Sequence, residues 1–206
     1  VVVCVDAVEG VVMAVEDALL DLVADQGNKR VILIINKIDR LVLECKLTPT
    51  DCYFKLKHLI DSCNTVIARQ DYFNPTTGNV VFASTQHRWM FTVESFMARM
   101  YPSVVFPSEY MFGDVYSRVD DNGQLEVSSV PGGKRTFVEY ILEPLYKLYT
   151  ASLGGSIGFN GKQKVRSKEM KWSAVVRRAL TNSIGWDCDF IFDCNTDADT
   201  GTSTGT

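Results

Sequence analysis

No two of the six cysteines are spaced as CxxC, and the two histidines, His58 and His87, belong to no array of potential ligands. A zinc site is therefore not expected. Long apolar runs are also missing: one such as Val31 to Ile35 falls far short of the ~20 residues that cross a bilayer, so no membrane partner is expected. Neither sign of charge dominates. Lys plus Arg number 21 and Asp plus Glu 25, a net charge of -4, so the chain as a whole is not an electrostatic binder of nucleic acid. No secretory leader and no initiating Met are present, and the chain opens inside an apolar strand, which reads as a piece of a longer protein. What is there is ordinary for a folded chain. The 206 residues are 46% hydrophobic and 22% charged, enough for one large domain or two small ones, and not a disordered, collagen-like or coiled-coil sequence.

Val1 to Val5 is short, apolar and rich in β-branched residues, and reads as a strand buried on both faces. Val12, Val15, Leu19 and Val23 recur at helical spacing, which predicts a helix over 11–25 that stops at Gly27. Val31 to Ile35 is a second buried strand. Strand, helix and strand in this order make a βαβ unit with a parallel sheet. A second helix, capped by Thr50 or Asp51, carries Leu56, Leu59, Cys63 and Ile67 on one face. Val80 to Ala83 is a third strand. Cys4 and Cys63 read as small buried thiols, a usage that suits a reducing compartment.

After residue 90 the pattern changes. A helix is expected over Thr92 to Tyr101, and a hairpin with its turn at Asp120 to Gly123. Phe137, Ile141, Leu145 and Leu148 mark a further helix, which Pro144 should kink or divide. Gly154 to Gly161 reads as a loop, 168–183 as a last helix, and Asn195 to Thr206 as a disordered tail. Trp89, Trp172 and Trp186 are widely separated and read as core fillers. Lys162 to Arg178 is locally basic; it reads equally as a solvated helix face or as a contact for RNA phosphates.

Ligands of open α/β sheets bind at the carboxyl ends of strands, here Asp6, Asn36 and Ser84. Asn36-Lys37-Ile38-Asp39 follows a buried strand directly. The Asp39 carboxylate suits the paired N1 and N2 donors of guanine, and adenine would leave it unpaired. Lys37 can lay its aliphatic stem along a base, and Asn36 can tie the loop to neighbouring backbone. Ser84-Thr85-Gln86 can offer a backbone N–H to the guanine carbonyl. The bland alternative is a solvated loop in which Asp39 merely caps a helix. The phosphate-holding pattern GxxxxGK[ST] is missing, and Asp6 to Gly10 has one residue too many for the DxxG turn. Gly155 to Lys162 has the wrong spacing, and Gln163 stands where Ser or Thr is needed.

Val3 to Gly10, Asn36 to Arg40, Phe82 to Ser84, Gly113 to Tyr116, Arg135 to Phe137 and Leu142 to Tyr146 together resemble the translational GTPases of the elongation factor two and elongation factor G type. Leu47 to Tyr53 and Lys55 to His58 resemble the spliceosomal branch of that family, in the U5 small nuclear ribonucleoprotein. The resemblance covers roughly residues 1–150. It implies an α/β fold: the C-terminal half of a P-loop-type GTPase domain over 1–89, an α+β insert over 90–194, and the tail 195–206. It implies GTP or GDP as ligand, held through Asn36, Lys37, Asp39 and the stretch Ser84, Thr85 and Gln86, with Mg²⁺ ligands and the catalytic groups upstream. It further implies a nuclear switch in splicing whose partners are a U5 scaffold protein, an RNA helicase and snRNA. His87 to Phe91 is similar instead to the ribosomal translocase, so a cytoplasmic translocase stays open, as does a GTP-bound scaffold without turnover.

Overall fold

Density of β-branched residues makes strands of both leading runs, β1 (Val2–Asp6) and β2 (Ile32–Asn36), with α1 (Met13–Ala24) between them. In the computed structural model, residues 1–24, 30–101, 108–119 and 125–152 are described. Gly27, the 120–123 turn, and everything expected beyond residue 152 lie outside them. α2 (Ile38–Leu43) and α3 (Pro49–Val66) lead to β3 (Val80–Ser84). The three strands pair in parallel in the order β1-β2-β3, with Asp6 opposite Asn36 and Ile35 opposite Phe82. Their carboxyl ends therefore sit together at one edge of the sheet, as the βαβ reading requires.

A fourth strand, β4 (Trp89–Phe91), returns antiparallel to β3 and places Trp89 opposite Ser84. Its three residues are too few to show alternation. The intervening turn bends at Arg88, whose φ of 56° is a left-handed value with no glycine to signal it. α4 (Val93–Met100) starts from a reciprocal cap: Thr92 Oγ1 accepts from the Ser95 N–H at 3.1 Å and Ser95 Oγ from the Thr92 N–H at 2.9 Å. A second sheet, order β6-β5-β7, joins β5 (Tyr116–Val119) to β6 (Leu125–Ser128) and β7 (Lys134–Arg135), all antiparallel. A π-helical turn, Val138–Leu142, then runs into α5 (Glu143–Ser152). Pro144 has no N–H to offer the Tyr140 carbonyl, and the Tyr101 hydroxyl donates to that carbonyl instead, at 3.2 Å. The expected irregularity thus takes the form of a widened turn just before the proline.

One core unites both halves of the chain. Val5, Leu33, Ile35 and Phe82 of the first sheet share it with Leu56 and Cys63 of α3, Phe96 of α4, and Phe137, Ile141 and Tyr149. All four apolar positions expected on α3 are buried. Elsewhere the burial departs from the reading of the sequence. β1 is covered on one face only: Val3 and Val5 are buried, whereas Val2 is 59% exposed and Cys4 faces solvent. A β-branched run favours extended backbone whether or not its second face is covered, so composition alone could not separate the two cases. Among the described side chains of α1 only Leu19 is fully buried; Val23, and Val12 just before the helix, are exposed. α3 is capped two residues earlier than expected. The Thr48 hydroxyl accepts from the Asp51 N–H, and Pro49 takes the first helical position, where a missing N–H costs nothing. Among the described residues no helix is long and apolar enough to cross a membrane.

Asn64, on the buried side of α3, closes two hydrogen bonds on one residue: it accepts from the Phe73 N–H at 2.8 Å and donates to the Phe73 carbonyl at 3.0 Å. Asn64→Ala strands both groups in the core. A loss of about 2–4 kcal/mol in unfolding free energy is expected, read as a lower denaturant midpoint at unchanged slope.

Candidate functional site

The ends of β2 and β3 are joined by one side chain. Asn36 Oδ1 accepts from its neighbour's N–H, Lys37, at 2.8 Å and from the Thr85 N–H at 3.1 Å, while Asn36 Nδ2 donates to Thr85 Oγ1 at 3.2 Å. The loop after β2 and the turn after β3 are thereby one unit. Lys37 takes a left-handed conformation, φ 63° and ψ 36°, which costs a non-glycine residue about 1–2 kcal/mol. That reversal starts α2 immediately and turns the Lys37 side chain toward β1. Its Nζ lies 2.7 Å from Asp6 Oδ2.

Asp6 is itself fixed at both oxygens. Oδ1 accepts from the N–H groups of Val8 at 2.8 Å and Glu9 at 3.2 Å. Oδ2 is engaged through ion pairs, with the Lys37 ammonium close by and Arg40 Nη1 further off at 3.6 Å. Burial acts to raise the Asp6 pKa, but Lys37 and the two backbone donors outweigh it and hold the carboxyl below its ordinary value. The same pair pushes Lys37 upward.

Asp39 sits within the first turn of α2, not at its cap, so the capping alternative does not hold. It is 5% exposed, and its Oδ1 meets no hydrogen-bond donor among the described residues. A buried carboxylate oxygen without a donor is costly, and native structures rarely leave one so. The oxygen has the chemistry required of a group that waits for a ligand N–H.

The turn after β3 divides by exposure. Ser84 is fully buried; its hydroxyl accepts from the His87 N–H at 3.2 Å and lies 3.4 Å from His87 Nδ1. Thr85 and Gln86 face solvent, and the Thr85 N–H is taken by Asn36. Behind them is a buried polar group with no counterpart in the sequence reading. His87 is 2% exposed, and its Nδ1 lies 3.0 Å from the Tyr149 hydroxyl, which also accepts from Trp89 Nε1 at 3.0 Å. Burial pushes His87 below the ordinary histidine range, against an opposing pull from the Asp39 charge. Burial and the Asp39 charge push Tyr149 up. His87 and Tyr149 stand 62 residues apart, so no local pattern could have paired them.

Because the folded state favours neutral His87, the unfolded chain takes up the proton first as pH falls. Stability is complete above the ordinary histidine value of 6.5 and declines below it. Each pH unit costs at most about 1.4 kcal/mol. Denaturation at pH 7.5 and at pH 5.5 should show this decline, and His87→Gln should flatten it.

Among the described residues no three His, Cys, Asp or Glu side chains are grouped to hold a metal ion. No family model matches the chain. Individual relatives do. The 110 kDa U5 small nuclear ribonucleoprotein component CLO of Arabidopsis thaliana is 39% identical over 168 residues, 74% of this chain and 17% of its own length. The pre-mRNA-splicing factor SNU114 of Saccharomyces cerevisiae is 33% identical over 161 residues, 74% of this chain and 15% of its own length. Elongation factor-like GTPase 1 of Mus musculus is 30% identical over 199 residues, again 74% of this chain and 17% of its own length. The chain thus spans about a sixth of the length of the curated relatives it matches. With U5 components and an elongation factor-like GTPase each aligning over about three quarters of it, the chain belongs to the translational-type GTPase family, which includes these U5 small nuclear ribonucleoprotein components.

Proposed function

We propose that the Asn36–Asp39 loop and the Ser84–Gln86 turn form the guanine-selective pocket of a GTPase that acts as a nuclear switch in spliceosome remodelling. The observation that carries this reading is the buried Asp39 Oδ1 with no donor among the described residues. The N1–H and N2–H edge of guanine supplies the missing donors; adenine presents none there, and a buried carboxylate left unpaired rejects it. Asn36 fixes the spacing of the two loops, Lys37 covers one face of the base with its aliphatic stem, and a backbone N–H of the turn other than that of Thr85 meets the guanine carbonyl. In this reading residues 1–89 bear the guanine loops, the segment from 90 onward elaborates the domain, and GTP or GDP is the ligand. The sequence carries no GxxxxGK[ST] loop to hold phosphates, so in this reading turnover needs the rest of the full-length protein, with Mg²⁺ bound there. A nuclease-free, purified 206-residue chain should not hydrolyse GTP.

The U5 setting rests on the relatives named as U5 components or splicing factors, at 33–39% identity. Proteins of the U5 particle, among them a scaffold and an RNA helicase, and snRNA are then the partners. A second reading, a cytoplasmic GTPase of the ribosome, rests on elongation factor-like GTPase 1 of Mus musculus and ribosome assembly protein 1 of Schizosaccharomyces pombe, at 30% and 31% identity. Both readings use the same pocket. RNA recovered with the tagged full-length protein separates them: U5 snRNA supports the first and ribosomal RNA the second.

The pocket itself is tested by Asp39→Asn in the full-length protein. Loss of two hydrogen bonds to a carboxylate should weaken GTP binding by at least about a hundredfold. Xanthine nucleotide, whose altered edge offers an acceptor to the new amide, should gain affinity. GTP affinity equal to that of the parent contradicts the pocket.

A further inference from the structure

We propose that Asp6 is a positioning residue of the guanine site: its carboxylate anchors the Lys37 ammonium, so that the lysine stem is stretched across the ends of β1 and β2 before any base arrives. This rests on the pocket described above and adds to it a residue from a different strand.

Three features make Asp6 a fixed post and Lys37 the part that it steers. The Asp6 backbone is set by the sheet, in register with Asn36, and the next N–H, that of Ala7, donates to the Asn36 carbonyl at 2.9 Å. Its carboxylate is oriented by the Val8 and Glu9 N–H groups on Oδ1, which leaves Oδ2 directed at Lys37. The Gly10 N–H closes the same turn on the Asp6 carbonyl at 2.9 Å, with Gly10 at φ 81°. The lysine is the looser partner: its side chain is 44% exposed against 13% for Asp6. Arg40 is the rival cation, but its Nε is held by Glu44 Oε2 at 2.8 Å, one helical turn on, and its Nη1 stays 3.6 Å from Asp6.

A lysine free in solution visits many rotamers, and a base that stacks on its stem must order it. Tethering the ammonium beforehand removes most of that ordering from the binding step. The exposed flank of the stem stays available, because only the terminal nitrogen is engaged. The anchor acts on either face-stacked purine alike and takes no part in reading the guanine edge, which belongs to Asp39.

The experiment is a double-mutant cycle in the full-length protein, read by fluorescent GDP and GTP affinity and dissociation rate. Asp6→Asn keeps an oxygen for the Val8 and Glu9 N–H groups and removes only the charge. It should weaken both nucleotides by about three- to tenfold, chiefly through faster dissociation, with the preference for guanine over xanthine unchanged. Asp6→Glu should recover part of the loss. In a Lys37→Ala background the same Asp6→Asn change should cause no further loss. Affinity within twofold of the parent overturns the proposal. An equal loss with Lys37 already removed also overturns it, because Asp6 would then act through the fold. Asp39→Asn, measured in parallel, keeps the two claims apart. Guanine selectivity that survives Asp39→Asn defeats the pocket itself, whereas selectivity lost there but affinity unmoved in Asp6→Asn defeats only the anchor.

Discussion

Everything at the carboxyl edge of the first sheet depends on the Asn36 side chain. Strand ends in a parallel sheet are joined to one another only through long crossovers, so the loops that leave them have no short covalent tie. The Asn36 amide supplies one, taking N–H groups from its own loop and from the turn after β3, and giving one back to Thr85. With that bridge in place the left-handed Lys37, the first turn of α2 and the exposed Thr85–Gln86 pair hold fixed positions relative to one another. Without it Asp39 and the Ser84–Gln86 turn would be two independent loops, and the proposed pocket needs both at once.

The floor beneath that bridge is polar and buried. Ser84, His87, Trp89 and Tyr149 share hydrogen bonds under the turn, and the Asp39 charge is felt by both the imidazole and the phenol. Tyr149 belongs to α5, so the last described helix is bonded to the turn that follows β3. Satisfied networks of this kind specify one arrangement of the groups above them more sharply than an apolar floor would. This joins the two halves of the chain physically, as does the core that runs from Leu33 through Phe82 to Phe137 and Tyr149.

Much of this was legible in the residues. The β-branched density of Val1–Val5 and Val31–Ile35 marks strands, helical spacing marks α3 and α5, and an abrupt polar Asn36 after an apolar run marks a strand end with chemistry on it. Burial was less legible than secondary structure. Val12 and Val23 share the spacing of Leu19 on α1, yet they are exposed, because spacing reports a face and not what covers it. Cys4 misleads in the same way. The cap of α3 was misplaced because three of the residues Thr48 to Asp51 are good capping types, and only Pro49 at the first helical position tells them apart. Asp6 was placed at that edge as the end of β1; least legible were that Asp39 is buried without a donor, that Asp6 pairs with Lys37, and that His87 and Tyr149 meet behind the turn from distant parts of the chain.

The alignment of Asp6 with Asn36 carries an evolutionary consequence. Successive residues of a strand alternate between faces, so a single inserted or deleted residue within β1 or β2 would slip the pairing and send the acid or the amide to the wrong side. Length changes between α1 and β2 carry no such penalty, since the sheet restores the alignment afterwards. Indels among descendants of this sequence should therefore accumulate in the connections and spare the strands, even at outward positions such as Val2 and Ile32 where the side chain itself matters little.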